Sequence, residues 1–185
     1  THRQRKLDHA VTEQVLRDSS LRPWLGRGTQ NMDARMLFLR AKHSIYKGES
    51  AMDDLRATVA LDSTFIAARV WLISGLRWMD TTEAWKHYRI LHRQRIDASP
   101  FDLAMIDYIG AVLRADERMQ VAHLEEALRL SPNNFILLAN LEELHFENED
   151  YEKAYKALQP SLAAEWEYAP VYPAAATCLL RLGRV

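Results

Sequence analysis

Cysteine is nearly absent from this sequence: among 185 residues there is one, Cys178. A single thiol excludes an internal disulfide framework and a cysteine-based zinc site. Glycine and proline are scarce, with six of each. A β-sandwich or barrel needs turn residues every few positions, so this scarcity points to helices. No apolar run approaches the roughly 18 residues of a membrane span. No charged, apolar, small-residue leader pattern opens the chain. Only Gly26 and Gly28 sit close together, and they lack the following Lys-Ser or Lys-Thr of a phosphate loop. What remains is the composition of a globular protein, 48% hydrophobic and 26% charged. A chain this long buries about 70% of its unfolded surface, so it folds without a metal or a disulfide. It starts at Thr1 and not at Met, which predicts a segment of something longer.

The formal net charge of −1 conceals a gradient. Residues 1–100 carry 17 Lys and Arg against 11 Asp and Glu, whereas residues 101–185 carry 7 against 14. A nucleic-acid-binding domain is normally basic throughout. This chain is polarised instead, which bears on how a partner would be oriented.

Apolar residues recur at helical spacing along the whole chain. The stretch 1–21 reads as an amphipathic helix through Leu7, Ala10, Val11, Val15 and Leu16, and 21–31 as a connector holding Pro23, Gly26 and Gly28. Asn31 or Asp33 can cap the next helix, which stops at Gly48. A partner helix covers about 50–61. Helices then follow at 66–78, 83–95, 101–114, 119–130, 135–147 and 151–162, and a last one runs from Pro170 to Gly183. Short turns between them favour antiparallel neighbours.

The two-helix unit repeats. Phe101, Phe135 and Ala169 open successive units 34 residues apart, and earlier units open near Ala34 and at Phe65 or Ile66. Ala127, Ala154 and Pro132 fall where such a unit wants small residues and a stop. The strings EEALRLSPNN (125–134), ENEDYEKAYKAL (147–158), TVALDSTF (58–65) and AATCLLRLGR (175–184) resemble tetratricopeptide repeats, although Glu142 stands where a glycine is usual. The start Asn31 to Ala34, Leu37-Phe38-Leu39, the Tyr-Lys-Gly turn at 46–48 and Leu-Asp-Ser-Thr-Phe at 61–65 are similar to the repeat segment of certain bacterial signalling proteins. Those fuse a kinase, adenylate cyclase or winged-helix effector, usually a membrane helix, and such repeats. The resemblance implies an all-α, right-handed superhelix of helix hairpins. Residues 1–31 form an added N-terminal helix and connector, and 32–185 form about four and a half repeats (34–64, 65–100, 101–134, 135–168 and a partial 169–185). The compartment follows the context: extracytoplasmic if the membrane-tethered fusion holds, cytoplasmic otherwise.

A solenoid of this kind binds along its hollow face. Repeat geometry implies that this face offers Arg35, Phe38, Lys42 and Tyr46, then Val70, Ser74, Arg77 and Trp78, then Met105, Ile109 and Val112, and finally Ala139, Asn140, Glu143, Phe146 and Glu147. The order is basic and aromatic, then apolar, then acidic. The expected function is therefore non-catalytic: a scaffold binding a protein or peptide whose acidic end meets Arg35, Lys42 and Arg77. The competing reading has these aromatics facing the core and the charges merely solvated. A small-molecule pocket around Phe38, Trp78 and Met105 is the alternative function. A carboxylate clamp of the kind some family members carry is not expected, because only Asn140 matches it and Ala139 and Glu143 do not. Leu179, Leu180 and Leu182 lack a covering second helix, which predicts a following segment or a second copy of the chain over them.

Catalytic and metal chemistry finds little footing. Glu142 and His145 share a helix face, but a di-iron bundle site needs a second such pair. His87 and His92 are five apart, a spacing that does not align them. Cys178 lies in an apolar helix with no activating cation. Arg22, Trp24 and Arg27 form a small basic-aromatic cluster that fits packing better than phosphate or membrane contact. Trp71, Trp78, Trp85 and Trp166 read as repeat core. No nucleophile and base pair can be named for a hydrolase, and no cofactor or nucleic-acid partner is expected.

Overall fold

The structure, a computed structural model, describes residues 28–46, 49–163 and 171–184, with the side chain of Tyr46 excepted. The expected helix over 1–21, the cluster of Arg22, Trp24 and Arg27, the turn glycine Gly48, and Trp166 and Ala169 lie outside the described residues. Among the described residues there are nine α-helices and no strand. They are α1 (Met32–Tyr46), α2 (Met52–Leu61), α3 (Ile66–Met79), α4 (Thr81–Arg93), α5 (Pro100–Leu113), α6 (Glu117–Leu130), α7 (Phe135–Glu147), α8 (Tyr151–Ala163) and α9 (Val171–Arg181). A short 3₁₀ segment, Gln94–Asp97, follows α4.

The helix ends follow side-chain chemistry. Asn31 Oδ1 accepts from the Asp33 and Ala34 amides at 3.0 and 3.1 Å, so Asn31 caps α1 and Asp33 lies in its first turn. Asp80, Ser99, Asp116, Asn134 and Asp150 each accept from the amide three residues on, capping α4 to α8. The cap at Asp80 starts α4 at Thr81, and the cap at Asp116 starts α6 at Glu117, each two residues before the start expected from apolar spacing. Pro160 stands inside α8.

One turn recurs with the period of the sequence. Ala115, Glu149 and Gly183 have φ of 53°, 59° and 66° and are spaced 34 residues apart. Each closes a first helix in the same way. Asp116 N–H reaches back to Ala111 C=O (3.0 Å), Asp150 to His145 (2.9 Å) and Arg184 to Leu179 (3.0 Å). This is the left-handed cap that satisfies the last carbonyls of a helix. Glu49 makes the same five-residue bond to Ser44 (2.9 Å) at the end of α1.

Packing is by neighbours. The closest partners are α1 with α2, α3 with α4, α5 with α6 and α7 with α8, and each hairpin packs on the next through α2–α3, α3–α5 with α4–α5, α6–α7 and α8–α9. First helices are covered from more than one side, and α5 buries residues all round, from Phe101 to Val112. Second helices bury a single stripe: Ala84, Tyr88 and Leu91 in α4, Gln120, Leu124 and Ala127 in α6. Glycine permits the closest approaches. A Cβ on Gly75 would overlap the Met52 sulfur, and one on Gly110 would overlap the Tyr88 hydroxyl, each on the second helix of the preceding hairpin.

Candidate functional site

The face implied by the repeats divides into three groups. Phe38, Val70, Met105 and Ile109 are buried in the common core, and Phe38 packs on Phe65 with ring centroids 4.8 Å apart. These side chains hold hairpins together and do not line an open groove. The small-molecule pocket imagined around Phe38, Trp78 and Met105 does not form, because two of its three walls are inside the core while Trp78 is 79% exposed.

The basic end is also taken up internally. Lys42 is 0% exposed, and its ammonium sits over the Trp71 ring, 3.3 Å from the centroid. Arg35 donates from Nη2 to the Thr29 carbonyl (3.2 Å). Ser74 bonds its own helix, Oγ to Val70 C=O at 3.1 Å. Phe146 packs edge-on against Tyr151, with centroids 5.2 Å apart.

A third group comes together. The C-terminal ends of α3, α5 and α7 and the start of α6 enclose a cleft of about 340 Å³. Arg77, Trp78, Val112, Asn140, Glu143 and Glu147, all from the expected face, line it. With them stand Tyr108, Glu117 and Gln120, which the sequence did not single out. The Arg77 guanidinium lies over the Trp78 ring, 4.5 Å from its centroid. Burial pushes the Tyr108 hydroxyl up to about 12; Arg77 opposes that shift, Glu143 adds to it, and the Asn140 side chain opposes it. Tyr108 therefore stays protonated, a neutral donor on the cleft floor. Trp78, read from sequence both as a residue of the binding face and as repeat core, is the most open of the aromatic walls.

Elsewhere the polar side chains are structural. Arg69, 2% exposed, donates to the Ser63 carbonyl (2.7 Å) and is paired with His87 Nδ1 (2.9 Å). His87 approaches Glu83, which pairs with Arg56 of the preceding hairpin at 2.9 Å. Cys178 is buried with its sulfur 3.8 Å from a Glu142 oxygen. Burial, with the Glu142 charge, raises its pKa and keeps it a thiol. Glu142, in the place usually held by glycine, thus faces the next hairpin, and burial raises its carboxyl too. Leu180 is exposed, while Leu179 and Leu182 are half-buried.

Among the described residues no three His, Cys, Asp or Glu side chains gather as a metal site, and no helix is long and apolar enough to cross a membrane. No family model matches the sequence, and no curated protein matches it.

Proposed function

We propose that this chain is a tetratricopeptide-like solenoid, a right-handed superhelix of hairpins, that binds a protein or peptide segment without transforming it. The observation that carries this reading is the cleft at the ends of α3, α5 and α7. It joins six residues expected on the binding face, drawn from three successive hairpins, around an exposed tryptophan. Exposed aromatic and arginine side chains are the usual anchors of such contacts, and the carboxylates at the rim orient the partner. The 34-residue recurrence of the left-handed turn supports the repeat reading, because a stack of like units curves and offers a continuous face. The resemblance of 31–65 to signalling-protein repeats favours a place as the sensory or scaffold part of a larger bacterial regulator. A following segment or a second copy over Leu179, Leu180 and Leu182 belongs to the same reading.

The test is a peptide-array screen followed by calorimetry on the intact chain. Binding should saturate and should fall at least about tenfold in Trp78→Ala, the order of effect of an interface anchor. Charge reversal at Arg77 and at Glu143 should change which peptides bind. Affinity and selectivity untouched by all three substitutions would remove the cleft from the interface.

A further inference from the structure

The cleft proposed above as the binding site departs from the repeat pattern at one position, and that departure specifies what it takes. An aspartate caps α4, α6 and α8, and the fourth residue after the cap is always buried. After Asp80 and Asp150 that residue is Ala84 and Ala154. After Asp116 it is Gln120, 7% exposed, at the wall of the cleft. Gln120 makes no side-chain hydrogen bond among the described residues, and its amide is not sealed from solvent, so a polar group stands open to the cleft where the sister hairpins have only a methyl group. Arg77 Nε, at the same wall, is buried and also has no hydrogen-bond partner among the described residues.

The rim has its own sign. Glu117, Glu143 and Glu147 face a single cation, Arg77, whose guanidinium already covers one face of Trp78. The net field is negative, and a narrow cleft with protein walls concentrates it. A volume of about 340 Å³ is at the small end of ligand pockets. It takes one long side chain with its stretch of backbone.

We infer that the cleft receives a lysine or arginine side chain of an extended partner segment. The cationic head meets the Glu143 and Glu147 carboxylates, and the segment's peptide groups satisfy the Gln120 amide and the Arg77 Nε–H. This rests on the protein-binding reading and adds to it the identity of the anchoring residue. The partner is basic where it touches α7, consistent with the acidic second half of the chain.

The experiment uses the intact ¹⁵N-labelled chain and follows the Trp78 indole and Gln120 side-chain amide signals. The probes are N-acetyl-arginine methylamide and its citrulline and glutamate counterparts. Saturable shifts with the arginine probe, absent with citrulline, are expected. They should weaken with added salt and weaken about two- to fivefold for each of Glu143→Gln and Glu147→Gln. Both positions are exposed, so these variants keep the fold, and the same spectra verify it. A glutamate response with the arginine probe silent overturns the inference. So does an arginine response that the double variant leaves unchanged. Array peptides that bind at Trp78 with no basic residue overturn the cationic anchor and leave protein binding standing. An arginine response with no array peptide bound supports the cation site and removes the protein-binding reading.

Discussion

The first two hairpins and the next two use charge in opposite ways. In α1 and α3 one cation each is inside: Lys42 against Trp71, Arg69 between Ser63 and His87. In α7 the carboxylates Glu143 and Glu147 are outside, at the mouth of a cleft. The basic half of the sequence therefore spends part of its charge on cohesion, and the acidic half presents its charge to solvent. A count of lysines and glutamates along the chain cannot separate these uses, but substitution can.

The largest expected effect comes from reversing a charge on each side of that divide. Arg69→Glu or Lys42→Glu buries a carboxylate with no cation provided for it and should cost about 4 kcal/mol or more. For Lys42 the loss includes repulsion from the ring face it now covers. Glu143→Lys, on the open side, should stay within about 0.5 kcal/mol of the parent. Denaturant titrations of the three variants decide the matter, and equal costs would erase the distinction. Arg69→Met sharpens it. Gln94 also donates to the Ser63 carbonyl (2.7 Å), so that variant leaves only His87 without its donor and should cost about 1 kcal/mol.

A second contrast lies in the packing of consecutive hairpins. Gly110→Ala drives a methyl into the hydroxyl of the buried Tyr88 ring and should destabilise by about 1–2 kcal/mol, even after alanine's better helix propensity. Gly75→Ala meets the Met52 thioether, which is flexible enough to move, and should come out near neutral in the same melts. Glu149→Gly removes a side chain from a left-handed position and should stabilise by up to about 1 kcal/mol. The same substitution is unavailable at Gly183, which already has the residue the turn prefers.

The smallest effect is in pH dependence, and His87 and Glu142 differ in its sign. Burial, and next the Arg69 charge, lowers the His87 pKa below its ordinary 6.5. Its contribution to stability is intact above that value and is lost as pH falls through the lowered one. Burial, and next Glu143, raises the Glu142 pKa above its ordinary 4.5. That contribution is full below the ordinary value and is lost as pH rises through the raised one. Melting temperatures at about pH 7.5 and 5.5 should therefore fall less in His87→Asn than in the parent. His145, lowered by burial in the same direction, leaves a residual slope. Glu142→Gln should raise the melting temperature at neutral pH.

Helix positions and their periodicity were legible because they are local. Apolar spacing gave α7 its observed limits, and the Ala115–Asp116 and Glu149 turns fall where the pattern breaks. The fate of individual polar side chains was not legible, because it depends on the neighbouring hairpin. Lys42 is buried against a ring 29 positions away, and nothing adjacent to it in sequence signals that. Phe38, Met105 and Ile109 share helix faces with residues that do line the cleft, and only hairpin-to-hairpin distance separates core from rim. Gln120 could have been found earlier. Aligned from the aspartate caps, it is the one polar residue in a row with Ala84 and Ala154. Tyr108, between the apolar Met105 and Ile109, carries no such mark.

The turn at Ala115, Glu149 and Gly183 has a consequence for how the chain tolerates changes of length. Each is followed by a residue whose amide reaches back five positions, and at Ala115 and Glu149 that residue is also an aspartate cap. Excising residues 116–149 would join Ala115 to Asp150 and recreate the same junction, with one hairpin fewer. Duplicating that stretch would lengthen the molecule by the same module, so these bends are natural seams for adding or removing whole units.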